Sequence, residues 1–562
     1  MTWLDYALIG VFLGGMALVG LRISRLIKNP DDIFVAGREL TPFVAAATIT
    51  ATNLSMFHFI GMGGIGYQKG ISIIWQNWTG NMALVLSAIL VIPVMRRLRV
   101  RSIPEFLEMR YSKSLRILIG GFWGLRLCVF LGTFLYVAAT AAGVITGWNS
   151  IGAYIAWLFI FSVVAILYSA IGGAWAVAIM DSMQFAFIIA GALITFPIAM
   201  HLAGGGPSLF HWLQTHGKEV HTQLVPRTGE FSWLFILAIM MASFKWATVD
   251  QAILQRAFGA KSPRAGAQAM VLSGLITTPL AFLWILPGLA MARIHPGIVN
   301  PDHAIPWLLS HQLPIVGRGL LGFVLCGLVA AQISTITADI NSVATLFASD
   351  VYRSLRRKEP TEKMLMWVVR FSSVLCGALM MAVAFGLRFT DSGAVRANLA
   401  VVGAVDIPLF IITIVFGLFW KRTTWQGAMA GFFAGGAAGI SMYFLHIKAI
   451  ESQLLSIVPF ISSGTALIVT PLVSILTRQD PKGESSKIWA HFHSSNEKGD
   501  NFLLAPGSLA GKLGLTLIFG GFACFLGGVI AAAAFGFSFA TAVALSGMCV
   551  LFVGGLMRVY SR

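Results

Sequence analysis

The sequence predicts an all-α polytopic membrane protein organised around two five-helix repeats of inverted topology. Three observations carry this. The chain of 562 residues is 57% hydrophobic and only 11% charged, against about a quarter charged in a soluble domain. Its apolar runs recur from end to end at the length of about 20 residues that a bilayer-spanning helix needs. Two of the runs are interrupted by polar groups, a layout tolerated at membrane depth where the segment faces protein or a wet cavity. Membrane β-barrels show ten-residue alternation instead of continuous apolar blocks.

Window hydropathy gives about fifteen spans in order, near 4–26, 41–66, 73–95, 117–147, 151–173, 176–202, 232–254, 267–292, 315–347, 364–387, 396–420, 425–446, 455–477, 513–536 and 538–557. Residues 1–40 form a peripheral helix and a loop. Residues 41–230 and 231–422 form the two repeats, each beginning with a polar-interrupted span. Residues 423–477 add two spans, 478–512 form a polar linker, and 513–562 form an accessory hairpin. The extra elements are thus one N-terminal helix and about four C-terminal ones.

The net charge of +17 does not point to nucleic acid, because the basic residues cluster in short loops. Arg22, Arg25, Lys28 and Arg38 follow the first span, and Arg96, Arg97, Arg99 and Arg101 follow the third. Further clusters include Arg256, Lys261 and Arg264, and then Arg353, Arg356, Arg357 and Lys358. Positively charged loops face the cytoplasm, so the N-terminus is expected outside and the C-terminus inside, in a bacterial inner membrane. No cleavable leader is expected at Met1–Ile27. The five cysteines all fall within apolar runs and read as buried hydrophobes. The outer-loop histidines His201, His211, His216, His221, His295, His303 and His311 fit no metal-ligand spacing and read as solvated.

The stretch Thr41–Tyr67 is long enough to cross a bilayer, yet it holds Asn53, Ser55 and His58, then Gly61, Gly63, Gly64 and Gly66. It reads as a broken helix that holds something. The second such span, Phe231–Leu254, carries Lys245, Trp246, Asp250 and Gln251. Ionisable groups inside spans are costly and mark function by default. They are His58, Arg126, Asp181, Lys245, Asp250, Asp339, Arg370 and Asp406, with Arg370 near a span end. In the ninth span, Ser334, Thr337 and Asn341 recur at three- and four-residue spacing and so share a face. Hydroxyls there, facing free carbonyls of a broken helix, make a cage of hard oxygen atoms suited to a hard cation such as sodium. Broken helices with midplane sites are the mark of inverted-repeat transporters.

Five stretches carry a family resemblance. They are Phe34-Val35-Ala36-Gly37-Arg38, then Ala51-Thr52-Asn53-Leu54-Ser55 with His58-Phe59-Ile60-Gly61, and Ser334 through Asp350-Val351-Tyr352. Gly417 through Thr424 with Gly427-Ala428 follows, and Asp250-Gln251 with Gln255-Arg256 is a weaker match. In this order they resemble the solute:sodium symporter family, which includes sodium–glucose cotransporters and bacterial proline and sialic-acid symporters. The resemblance implies a LeuT-type fold and sodium (Na+) as coupling ion. It implies a sodium site from the carbonyls of Ala51, Leu54 and Ala331 and the hydroxyls of Ser334 and Thr335. It offers a second sodium at Asp181, Ser334 and Thr337, although Ala338 stands where a serine is usual. Asn53 and His58 match sugar-contacting positions. Asn77 replaces an expected glutamate, and Thr277-Thr278-Pro279 lacks an expected lysine, so ordinary glucose or galactose transport is not implied.

The solute site expected from this is Asn53, His58, Gln76, Asn77, Lys245, Trp246, Asp250, Gln251 and Asp406. Amides, imidazole and indole suit a polyhydroxylated solute, whereas Lys245 or Arg126 could hold a carboxylate. The expected function is sodium-coupled import of a small polar solute, with sugar or polyol ahead of organic acid and amino acid. Proton coupling through Asp181 or Asp339 and a transporter-derived sensor are the alternatives. The partners are the solute and the lipid bilayer, with no nucleic acid and no obligatory protein. The sequence holds no HExxH, GxSxG or paired-carboxylate motif of an enzyme.

Overall fold

The computed structural model describes residues 1–24, 36–148, 150–389, 394–445, 453–478 and 506–561. The described residues are helical in the main, and their one β-bridge joins Leu40 to Ala260. The helices are α1 (Trp3–Ser24), α2 (Pro42–Asn53), α3 (Phe57–Lys69), α4 (Trp75–Leu90), α5 (Ile103–Arg110), α6 (Lys113–Thr146), α7 (Ile151–Leu202) and α8 (Gly206–Thr215). There follow α9 (Trp233–Val249), α10 (Gln251–Phe258), α11 (Pro263–Ile294), α12 (Ala304–Val316), α13 (Leu320–Leu355), α14 (Glu362–Leu387) and α15 (Asn398–Phe419). The chain closes with α16 (Trp425–Phe444), α17 (Leu454–Leu476), α18 (Leu509–Ala531) and α19 (Phe537–Tyr560). Among the described residues, ten helices are long and apolar enough to cross a membrane, and two bent pairs reach that length together. The chain is an integral, multi-pass membrane protein.

Both predicted interruptions are real breaks. α2 and α3 meet at 54° and α9 and α10 at 42°. Thr41 caps α2 through its hydroxyl, 3.4 Å from the Val44 amide, and Pro42 opens the first turn, where its missing N–H costs nothing. At the second break Asp250 is extended and accepts from the Ala252 amide at 3.1 Å, so one carboxylate ends α9 and starts α10. The glycines of α3 serve close approach: a Cβ on Gly64 would lie 2.6 Å from the Pro301 carbonyl oxygen, and one on Gly288 of α11 would lie 1.9 Å from the Gly63 carbonyl oxygen. Gly70 ends α3 at φ 98°, a left-handed value that favours glycine.

Two groups of helices pack internally. One comprises α2/α3, α4, α9/α10 and α11; the other comprises α6, α7, α13 and α14. α13 is the most enclosed span and touches α1, α2, α6, α7 and α14. Asp5 of α1 accepts from the Gly322 amide at 2.8 Å and so caps the start of α13. The hairpin α18–α19 is zipped by glycines, since a Cβ on Gly521 would lie 2.5 Å from the Leu551 amide nitrogen. It rests on α4, α9 and α11 of the first group.

Some sequence expectations are sharpened or corrected. Residues 73–95 divide at Val91, beside Pro93, into α4 and a short turn of helix, Ile92–Arg97. The spans expected at 151–173 and 176–202 lie in one helical run of 52 residues. Of the cysteines, Cys128, Cys326 and Cys376 are buried, but Cys524 and Cys549 are exposed, because the hairpin leaves a face uncovered by protein. Phe34-Val35 and most of the 478–512 linker lie outside the described residues.

Candidate functional site: an oxygen cluster beside a polar cavity

The break between α2 and α3 frees backbone carbonyls that a continuous helix would consume. α13 runs past that break and supplies hydroxyls. Ser334 Oγ donates to the Ala51 carbonyl at 2.8 Å and to the Ala331 carbonyl at 3.1 Å. Thr335 Oγ1 is 3.0 Å from the Thr52 carbonyl oxygen, 3.4 Å from that of Leu54 and 3.1 Å from that of Ala331. The five oxygen donors expected from the resemblance therefore converge at one buried point. The set is neutral, all oxygen and wholly enclosed, the chemistry that a hard monovalent cation requires. Ala51, Leu54, Ala331, Ser334 and Thr335 fit sodium on those grounds.

The second set does not assemble in the same way. Asp181 on α7 accepts from Thr48 Oγ1 at 2.6 Å and Thr52 Oγ1 at 3.4 Å, and it pairs with Arg256 at 3.6 Å. Thr337 turns its hydroxyl back to the Ile333 and Ser334 carbonyls of its own helix. Asp181 thus ties α7 to α2 and α10 and makes no hydrogen bond to Ser334 or Thr337. Of the shared face expected for Ser334, Thr337 and Asn341, Ser334 meets α2, and Thr335 beside it does so too.

Next to the oxygen cluster lies a cavity of about 140 Å³, sized for a small solute rather than a drug-sized ligand. Asn53, His58, Gln76, Asn77, Lys245, Trp246 and Asp250 all line it. Thr52 and Thr335 line it too, so cavity and oxygen cluster share walls. Two expected residues stand elsewhere. Gln251, one position past the break, turns away and donates to the Arg101 carbonyl at 2.9 Å. Asp406 lies behind the wall and holds two cavity cations. It takes Arg126 through Nε at 2.9 Å and a second nitrogen at 2.7 Å, and Lys245 at 3.1 Å. Lys245 also reaches Asp250 at 3.4 Å and stands 3.9 Å over the Trp123 ring.

Sequence reasoning left out Phe57, Phe130, Phe134, Ser243 and Asn398, offered Arg126 as a partner for a carboxylate solute, and named Asp339 without placing it at the solute. The aromatic residues pack on one another, Phe57 stacked on Phe134 at 5.0 Å and Phe130 tilted against Phe134 at 4.5 Å. In an apolar span a phenylalanine carries no signal of facing a cavity. Arg126 and Asp339 did carry one, as charges in otherwise apolar helices.

Polar side chains on the wall are held loosely. His58 contacts Ser55 through Nδ1 at 3.2 Å, and the Gln76 Oε1 and Asn77 Oδ1 atoms are buried without a protein partner. Buried polar groups are normally satisfied, so these oxygens are free for a ligand. The turn Pro301–His303 rests on Gly64 of α3, and burial holds the Asp302 carboxyl up at about 6. Of the outer-loop histidines, five are exposed and His221 and His303 are half-buried. Among the described residues no group of His, Cys, Asp and Glu could hold a metal ion.

The sequence profile described as the sodium:solute symporter family matches residues 33–435. The chain is 26% identical over 517 residues to the sodium/glucose cotransporter of Vibrio parahaemolyticus, covering 86% of this chain and 93% of that one. It is 29% identical over 433 residues to the uncharacterized symporter YidK of Escherichia coli (strain K12), covering 73% and 74%. Its fold is similar to that of a Na+-coupled sialic acid symporter solved in a substrate-bound outward-open state. The TM-score is 0.73 at 21% identity, covering 85% of this chain and 98% of that one. The fold is LeuT-like, sodium is the coupling ion, the protein is a transporter rather than an enzyme, and the chain belongs to the sodium:solute symporter family.

Proposed function

We propose that the protein imports a small, uncharged, polyhydroxylated solute, a sugar or polyol, together with sodium. The observation that carries this is the shared wall. Thr335 belongs to both the oxygen cluster and the cavity, and Thr52, whose carbonyl accepts from Thr335 Oγ1, lines the cavity beside it. Sodium held by Ala51, Leu54, Ala331, Ser334 and Thr335 would draw the α2/α3 break against α13 and fix one side of the solute site. Solute in the cavity would favour the same closed arrangement, which is how two ligands come to bind cooperatively.

The charges favour a neutral solute over an organic acid. Arg126 and Lys245 are the cavity's cations, and both are engaged by Asp406 and Asp250. A carboxylate solute would have to displace those partners. Free amide oxygens on Gln76 and Asn77 suit hydroxyl donors. The name of the Vibrio parahaemolyticus relative supports a sugar in the same direction.

Transport then follows by alternating access. Residues 41–230 and 231–422 act as the two inverted repeats, each opening on a broken span. The group α2/α3, α4, α9/α10 and α11 rocks against α6, α7, α13 and α14. The Arg256–Asp181 contact bridges the groups from α10 to α7 and must part for an exit path to open between them. The basic loops support an N-terminus outside and a C-terminus in the cytoplasm of a bacterium. An inside-negative potential adds about 2.3 kcal/mol per charge per 100 mV to the sodium gradient.

A ligand screen on the purified protein tests this reading. Sugars and polyols should raise the melting temperature in sodium and not in potassium. Stabilisation by organic acids alone, equal in both salts, would overturn it.

A further inference from the structure

Asp339 is the cavity acid that the hydrogen bonds and ion pairs around it leave out. It lies on α13 one turn beyond Thr335, is 3% exposed and lines the cavity. Among the described residues its carboxylate makes neither a hydrogen bond nor an ion pair. The cations on the same wall are committed elsewhere: Arg126 to Asp406 at 2.7 Å, Lys245 to Asp406 at 3.1 Å and to Asp250 at 3.4 Å. Around the cavity the acids Asp250, Asp339 and Asp406 outnumber the cations Arg126 and Lys245 by one. A carboxylate removed from water without a partner is unfavourable to the fold. Such a group is satisfied by its own proton or by a donor that enters the cavity.

The rest of the wall agrees in sign. The buried oxygens Gln76 Oε1 and Asn77 Oδ1 are acceptors without donors. Three acceptor groups thus face a space in which both cations are already spoken for. We infer that Asp339 is a solute-binding residue that selects by charge. It accepts hydrogen bonds from paired hydroxyls or an ammonium group of the solute and excludes solutes with a carboxylate at that end. This rests on the solute site proposed above and adds the electrical character of its occupant, rich in donors and without a carboxylate.

The test uses one carbon skeleton in three charge states, with a polyol beside it. Glucose, glucosamine, glucuronate and myo-inositol are titrated into the purified full-length protein in saturating sodium, and dissociation constants are read by calorimetry. Like charge brought together in a desolvated site is strongly unfavourable, so glucuronate should bind at least about tenfold more weakly than the best of the others. In Asp339→Asn that ratio should collapse below about threefold. A wild-type ratio under tenfold, or a ratio that Asp339→Asn leaves intact, overturns the inference while the sugar reading stands. If none of the four binds the wild type, the sugar or polyol reading itself falls, and this inference with it. The wild-type ranking does not depend on any variant folding. A sodium titration without solute forms the last arm. An unchanged midpoint in Asp339→Asn is expected, and a tenfold weaker one would make Asp339 an ion ligand and overturn the assignment.

Discussion

Replacing Ser334 with alanine removes one oxygen of the five that converge where α2 breaks. Ser334 Oγ lies 2.8 Å from the Ala51 carbonyl and 3.1 Å from that of Ala331. A buried polar contact to a charged partner contributes about 1.5–3 kcal/mol. At 1.4 kcal/mol per decade, sodium affinity should fall by about 10- to 150-fold. The fold itself loses one neutral hydrogen bond, about 1 kcal/mol, so the variant should still be produced and purified. The readout is sodium-dependent thermal stability of solute-free protein. Sodium at 100 times the dissociation constant stabilises by about 2.7 kcal/mol, and a 100-fold weaker site at the same concentration by only about 0.4 kcal/mol. The sodium-induced shift in melting temperature should therefore almost vanish in Ser334→Ala. Thr337→Ala is the control, because that hydroxyl turns to its own helix, and it should titrate like the wild type. A Ser334→Ala protein with a wild-type sodium midpoint would refute the assignment.

Three further outcomes follow from the same geometry. Asp406→Asn takes the ion-pair partner from Arg126 and leaves Lys245 with Asp250; breaking a buried pair costs about 3–5 kcal/mol, which denaturant or thermal unfolding should register as a clear loss. Gly288→Ala drives a Cβ to within 1.9 Å of the Gly63 carbonyl oxygen, so α3 and α11 must part, and size-exclusion profiles should show little monodisperse protein. Asp302 is an acid held up at about 6 by burial, above its ordinary 3.8. The folded turn therefore keeps its proton where the unfolded chain has lost it, and stability should fall as pH rises from about 4 to 6, by about 3 kcal/mol at most. Melting curves across that range should show the fall in the wild type and lose most of it in Asp302→Asn.

Much of the fold is legible in the sequence because the bilayer enforces it. Span length and loop charge follow from the solvent rather than from side-chain packing. The two breaks are legible for a related reason: Asn53, Ser55 and His58, and later Asp250, are misplaced in an anchor and meaningful in a bent span. The oxygen cluster is half legible. Ser334 and Thr335 announce themselves as hydroxyls, but Ala51, Leu54 and Ala331 act through carbonyls that every residue has, and the family resemblance supplies them.

The charge network is less legible. The sequence names Arg126, Lys245, Asp250, Asp339 and Asp406 as charges in apolar helices, yet pairing is a property of tertiary distance. Only the fold shows that Asp406 backs the wall, that Asp339 is left out of the pairing among the described residues, and that Gln251, adjacent to Asp250, turns toward Arg101. Thr337 shows a further limit of spacing alone. Helical spacing put it on the face of Ser334, but its hydroxyl is satisfied by α13 itself.

The most direct test is uptake into proteoliposomes with the sodium, proton and electrical gradients imposed separately. The solutes are a panel of radiolabelled neutral sugars and polyols, and the proteins are the wild type and Ser334→Ala. An inward sodium gradient should drive accumulation of a panel member above its outside concentration in the wild type, an inside-negative potential should enhance it, and Ser334→Ala should abolish it. Accumulation driven by a proton gradient in the absence of sodium, or accumulation undiminished in Ser334→Ala, would contradict sodium coupling through the α2/α3 break and α13.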